Sequence, residues 1–195
     1  MRIVIVTIAV VLVIGTFNGP ALYADLVWNG GYHEFSEGYE WEVWLLNDAT
    51  GDITGGEIGQ LLCYDTSEVF VYEPSEIDLI KPFESATVNI YDGTITTVLA
   101  EDSSNTSIYS ASLAEIGARG LSIVNLYTAS YEIDLSGGTF GNGLLTGTWL
   151  YGGSFSIDLV AEETINHLNF VPEPFTMSLF VIGSLMLRAI RKKRK

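Results

Sequence analysis

The chain has 195 residues, with 24 acidic side chains against nine basic ones and a formal net charge of −15 at neutral pH. All 24 acids lie between residues 25 and 174, where only Lys81 and Arg119 oppose them, so that stretch carries a net −22. Such a field repels polyanions, and two cations cannot supply the several phosphate contacts that nucleic-acid binding requires, so nucleic acid is excluded as a partner.

In chain order, Met1-Arg2 is a minimal positive region and Ile3–Ile14 a dense apolar one, broken by Gly15, Asn18, Gly19 and Pro20. Ala24 then offers a small residue for signal peptidase, which makes 1–24 a signal peptide and Asp25 the expected mature N-terminus. Twelve apolar residues are too few to span a bilayer, which argues against the alternative of an uncleaved anchor.

Residues 25–170 are the length of one domain, large enough for a substantial core. Cys63 is the sole cysteine, so no intramolecular disulfide can form and packing must hold the fold. Val, Ile, Thr and Tyr are abundant and sit in short alternating runs between Gly, Asp and Ser clusters, which reads as all-β. Leu26-Val27-Trp28 and Tyr39–Leu46 read as two strands around a Gly30-Gly31 turn. Ser112–Arg119 is the nearest approach to a helical period, one or two turns at most.

A repeat governs the middle of the chain. Tyr72, Tyr91, Tyr109 and Tyr127 close the short runs Val69–Tyr72, Val88–Tyr91, Thr106–Tyr109 and Val124–Tyr127, at spacings of 19, 18 and 18. Alternation puts Ile53, Val71, Ile90, Ile108 and Leu126 on the inner face and the tyrosines on the outer one. Eight residues further on come Leu61, Leu79, Val98 and Ile116. Ten further on come Cys63, Ala100 and Ala118, with Lys81 breaking that column beside Pro82. Equivalent residues recurring once per turn are what a parallel β-solenoid (β-helix) of about 18-residue coils requires, with Gly55-Gly56, Asp92-Gly93 and Gly137-Gly138 as corners. The pattern resembles the degenerate repeats of β-helical, adhesin-like surface proteins. An antiparallel β-sandwich is the alternative. After Tyr127 the period slips, with Ile133–Phe140 repeating the motif at a spacing nearer nine. Leu144–Trp149 and Ser154–Val160 flank Tyr151-Gly152-Gly153 as a closing hairpin.

Few residues point to chemistry. His33 and His167 stand apart without metal-ligand neighbours at the usual spacing and read as solvated surface residues, His167 on a loop. Cys63 falls in a small-residue inner column, which suits a buried structural thiol. Asp65 and Glu101-Asp102 share a repeat position; such pairs can serve glycoside hydrolysis or Ca²⁺ binding, but a solvated, repulsive outer face is the simpler expectation. The reading is therefore of a non-enzyme without cofactor or metal. The outer tyrosines would form a row of rings, suited either to strand preference alone or to stacking on sugars.

The chain ends in an ordered device. Pro172-Glu173-Pro174 is a rigid hinge that no helix can enter from upstream. The apolar run Phe175–Leu187, with Leu179, Phe180, Val181, Ile182 and Leu185, gives about 20 Å of helix, and Arg188 to Ile190 extend it toward the headgroups. Arg191, Lys192, Lys193, Arg194 and Lys195 form a basic stop expected to stay cytoplasmic. Residues 171–195 resemble the PEP-CTERM sorting signal of Gram-negative bacteria, which exosortase membrane enzymes process. Thr176 stands where that family often has Ser or Thr, and the departures are a short apolar run and Arg188 within it. The resemblance implies a precursor held transiently in the inner membrane, processed by signal peptidase and an exosortase-type enzyme. The product would be delivered to the cell surface or extracellular biofilm matrix, in a structural or adhesive role touching exopolysaccharide. The competing readings are a secreted carbohydrate-active enzyme and an uncleaved membrane-anchored protein.

Overall fold

The computed structural model describes residues 25–73 and 75–172. The segment 1–24 with its cleavage site at Ala24, the Glu173-Pro174 part of the hinge, the apolar run and the basic stop all lie outside these residues. Among the described residues no helix is long and apolar enough to cross a membrane.

The body is a parallel β-solenoid in which each coil gives one strand to each of two sheets. The first sheet stacks β1 (Leu26–Asn29), β3 (Tyr39–Leu46), β5 (Glu57–Cys63), β7 (Glu76–Pro82), β9 (Thr94–Ala100) and β11 (Ser112–Ala118). The second stacks β2 (Tyr32–Phe35), β4 (Thr50–Ile53), β6 (Glu68–Val71), β8 (Thr87–Ile90), β10 (Asn105–Ile108) and the first half of β12 (Ile123–Asp134). Pairing between neighbours of the stack is parallel throughout, which rules out the sandwich. Ile53, Val71, Ile90, Ile108 and Leu126 pair in register as one inner ladder, each fully buried. Like residues stacked at coil spacing bury one another on both sides, so each rung completes the core of the next.

Two columns need correction by one residue. Leu61 pairs with Ile80, not Leu79, and Cys63 pairs with Pro82. The cause is local: the connection from Tyr72 to Glu76 carries three residues where those from Thr54 to Glu57 and from Tyr91 to Thr94 carry two. The shift removes the apparent break, because Lys81 points outward beside Leu62 while Pro82 is buried in the small inner column with Cys63, Ala100 and Ala118. Within β7 and β9 the buried residues fall at spacings of three and then two, as in Ile77, Ile80 and Pro82, and β11 repeats this with Gly117 buried as well. Two successive outward side chains mean that each strand bends midway.

Ser112–Ala118 is strand, not helix, because Leu113, Ile116 and Ala118 extend the ladders of Ile95, Val98 and Ala100. Tertiary pairing overrides a weak local period. At the start of the chain, Gly30-Gly31 leads into β2, and β1 pairs with β3 in parallel across the coil, so the expected two-strand turn is instead a first solenoid rung. Trp28 and Phe35 are buried there as a lid on the first coil.

The far end closes differently. Beyond Tyr127, β12 leaves the stack and runs antiparallel to β13 (Leu144–Trp149), which runs antiparallel to β14 (Ser154–Leu159), and β14 returns parallel to β11. Ile133-Asp134 therefore belongs to a hairpin arm and Gly137-Gly138 to a loop, so neither forms a coil corner. The hairpin around Tyr151-Gly152-Gly153 stands where expected. A short 3₁₀ helix (Glu162–His167) leads to β15 (Leu168–Val171), which pairs with β12 and carries Val171 opposite Tyr127.

Candidate functional site: corner ladders and an aromatic outer face

Two corners recur along the coils, and the outer tyrosines and the acids Asp65, Glu101 and Asp102 singled out by sequence fall on them. At the corner after each second-sheet strand stand Tyr72, Tyr91, Tyr109 and Tyr127, stacked with ring centroids 5.2, 4.8 and 4.1 Å apart and ring planes within 18°. The coil repeat of about 4.8 Å sets this spacing, which is close to that of an offset aromatic stack. Both faces of Tyr91 and Tyr109 are covered by neighbouring rings, so what the stack shows to solvent is ring edges and hydroxyls. The alternative of a sugar-stacking surface is thus closed at the middle of the row, which leaves strand preference and ring stacking. Burial and a hydrogen bond with Tyr127 push the Tyr109 phenol up to about 12, and burial also raises Tyr72. At the first coil the Tyr32 hydroxyl donates to Asp52 at 2.7 Å, which holds that phenol up at about 12.

The corner after the first-sheet strands is built on left-handed backbone, with carboxylates at its three middle places. Asn47, Asp65, Glu84 and Asp102 occupy the same place in successive coils, all with left-handed backbone at φ between 52° and 58°, and Gly120 follows at 76°. The Asn47 N–H donates to Asp65 Oδ2 at 2.9 Å, the Asp65 N–H to Glu84 Oε2 at 2.9 Å, and the Glu84 N–H to Asp102 Oδ2 at 3.3 Å. These acids are not merely a solvated face: each ties its coil to the one before it. Asp65 does match Asp102 in position, but Glu101 belongs one place earlier, with Tyr64 and Phe83. Glu101 Oε1 receives both cations of the body, Lys81 Nζ at 2.9 Å and Arg119 Nη2 at 3.3 Å. Beside it, Tyr64 and Phe83 stack at 4.7 Å, Trp44 lies 5.7 Å from Tyr64, and Lys81 Nζ sits 4.7 Å over the Phe83 ring. Among the described residues no group of three or more His, Cys, Asp or Glu side chains is placed to hold a metal ion.

Cys63 is fully buried, and desolvation pushes its thiol up to about 12, away from the thiolate that nucleophilic chemistry needs. The two histidines are less solvated than expected. His33 pairs with Gly51 on the inward side of the first rung, stacks on Trp28 at 5.2 Å and donates its Nε2–H to the Gly30 carbonyl at 2.8 Å. His167 ends the 3₁₀ helix, not a loop, and its Nδ1–H donates to the Ser122 carbonyl at 2.9 Å, pinning the closing segment to the last coil.

Sequence reasoning missed an aromatic outer face on β3. Tyr39 and Trp41 point outward there and are 44% and 48% exposed. Trp41 stands opposite Gly59, where a Cβ would come within 2.7 Å of the Trp41 carbonyl oxygen and 3.1 Å of its Cε3. The glycine therefore makes room for the indole over the next strand. The available signal was Trp41 at a place where later coils carry Gly59, Asp78, Thr96 and Ala114. Of the predicted sorting motif only Pro172 is described, at the end of β15 beside Tyr131 and Phe170, whose rings stack at 3.8 Å. No protein-family model, curated protein or solved structure matches the chain.

Proposed function

We propose that this chain is an exported protein whose folded body is cargo for a sorting system that delivers it to the cell surface or extracellular matrix, where it acts as a structural or adhesive component. Residues 1–24 serve as a signal peptide removed after Ala24. Residues 171–195 serve as a PEP-CTERM-like signal, with Pro172-Glu173-Pro174 read by an exosortase-type enzyme while Phe175–Leu187 rests in the inner membrane. The carrying observation is the division of charge. All 24 acids lie between residues 25 and 174, and seven of the nine basic residues lie outside that stretch, five of them in Arg191–Lys195. An acidic body between an apolar start and an apolar run with a basic stop is the arrangement of a translocated cargo with a cytoplasmic retention end.

A non-catalytic role agrees with what the body's carboxylates do: Asp65, Glu84 and Asp102 accept backbone N–H groups and Glu101 receives Lys81 and Arg119. The test is the intact mass of the exported form. A chain that begins at Asp25 and ends near Pro172–Pro174 is expected, and recovery of a mature chain still carrying Arg191–Lys195 would overturn the sorting role.

A further inference from the structure

We infer that the outer face of β3, centred on Trp41 with Tyr39 beside it, is a docking platform for an uncharged polysaccharide, an inference that deepens the matrix role proposed above and rests on it for the presence of such a polymer. Large apolar side chains that are half exposed and clustered on one strand are the informative departure from an ordinary surface. Equivalent places in the next coils hold Glu76 and Asp78, then Thr94 and Thr96, then Ser112 and Ala114. The solenoid repeat alone therefore does not call for aromatic rings there. A glycine inside a strand weakens it and often marks a close approach. Gly59 accepts that cost, and the room it leaves is filled by the Trp41 indole, which still keeps 48% of its surface in solvent.

Charge narrows the choice by disfavouring anionic occupants, and the exposed ring faces favour a sugar. With −22 on residues 25–174, the body repels polyanions, anionic membranes and a second copy of itself. An uncharged glycan meets no such barrier. The C–H faces of its sugars suit an indole and a phenol ring, and its hydroxyls suit a few polar groups at the rim. Those groups are present: Glu57 pairs in register with Tyr39, and Gln60 with Glu42, on the strand next to β3. The tyrosine stack offers no equivalent, because its inner rings cover one another.

The experiment measures binding of the full chain, purified in mild detergent, to soluble uncharged glucans of several linkages and to a polyuronate, by affinity electrophoresis and calorimetry. At least one uncharged glucan should bind and the polyuronate should not. Trp41→Ala should weaken binding at least tenfold with an unchanged thermal transition, Gln60→Ala should weaken it several-fold, and Tyr91→Ala should leave it intact. If Trp41→Ala loses its transition, the Gln60→Ala result decides. Full binding by both the Trp41 and Gln60 variants, binding to polyuronate alone, or no glucan binding would each overturn the platform. So would Trp41-dependent dimerisation in sedimentation, which would assign the face to a second copy. The purified chain needs no export for this test, so a retained C-terminal tail in the exported form would undo the sorting role and leave the platform result standing.

Discussion

Where the second sheet returns the chain to the first, the corner carries Tyr72, Tyr91, Tyr109 and Tyr127. Where the first sheet returns it to the second, the corner carries Asn47, Asp65, Glu84 and Asp102. Both corners link successive coils through side chains, one by ring stacking and the other by carboxylates that accept the N–H of the coil before. The tyrosine corner depends on side-chain type, since only aromatic rings stack continuously at coil spacing. The carboxylate corner depends first on backbone conformation, and Asn, Asp, Glu and finally Gly120 all serve it because all can adopt the left-handed turn. One architectural task can thus be met by a repeated residue or by a repeated φ, and the two respond to mutation in different ways.

The largest difference should appear at Tyr91, which has a ring on each side at 5.2 and 4.8 Å. Tyr91→Ala removes two aromatic pairs and is expected to cost about 2 kcal/mol, read as a lower urea midpoint at unchanged slope. Tyr91→Phe keeps both stacks and should stay within about 0.5 kcal/mol of the parent. If the phenylalanine variant fell as far as the alanine one, the hydroxyls and not the rings would hold this corner.

A smaller effect, with an inverted logic, is expected at Glu84. Glu84→Ala leaves the Asp65 N–H without its carboxylate and should cost about 1 kcal/mol, with the left-handed backbone strain unchanged. Glu84→Gly loses the same acceptor but relieves a strain of about 1 kcal/mol, so it should be clearly the milder change. Equal losses in the two variants would mean that the corner is held by its side chains alone, like the tyrosine corner.

The same contrast explains what the sequence made legible. The tyrosine spacing and the inner ladder from Ile53 to Leu126 were readable because stacked coils demand the same residue type at each rung. The parallel solenoid and the closing hairpin followed from that. The carboxylate corner was only half readable: Asp65 and Asp102 matched, but Glu84 was hidden by the three-residue connection after Tyr72, the same insertion that misplaced Leu79 and Lys81. A left-handed φ leaves no mark when Asn, Asp and Glu all serve. The end of the stack was misjudged for another reason, because Ile133–Asp134 alternates equally well as a coil strand or as a hairpin arm, and only the partner strand decides. Trp41 and Tyr39 had no repeat to announce them, and the close approach of Trp41 to Gly59 shows only once the neighbouring coil is in place.

The smallest predicted effect is one of slope and separates the corners by pH. The folded-state values of Tyr109 and Cys63 are both raised to about 12, by burial first in each case and by the bond to Tyr127 for the phenol. A raised value means that the folded chain keeps a proton which the unfolded chain has already lost. Stability from these groups is therefore complete below their ordinary values and declines as pH climbs toward 12, from about pH 9 for the thiol and about pH 10 for the phenol. Tyr109→Phe removes one of the phenols behind the second onset, while Tyr32 and Tyr72, whose values are also raised, keep theirs. The urea midpoint of this variant, followed from pH 8 upward, should decline less steeply than the parent's above pH 10 and in parallel with it below. Glu84→Ala removes neither a phenol nor a thiol, so it should shift the whole curve down without changing its slope. Parallel curves for the parent and Tyr109→Phe above pH 10 would show that the stack tolerates a phenolate at Tyr109, and that its hold on the coils comes from ring contact without any requirement for neutral hydroxyls.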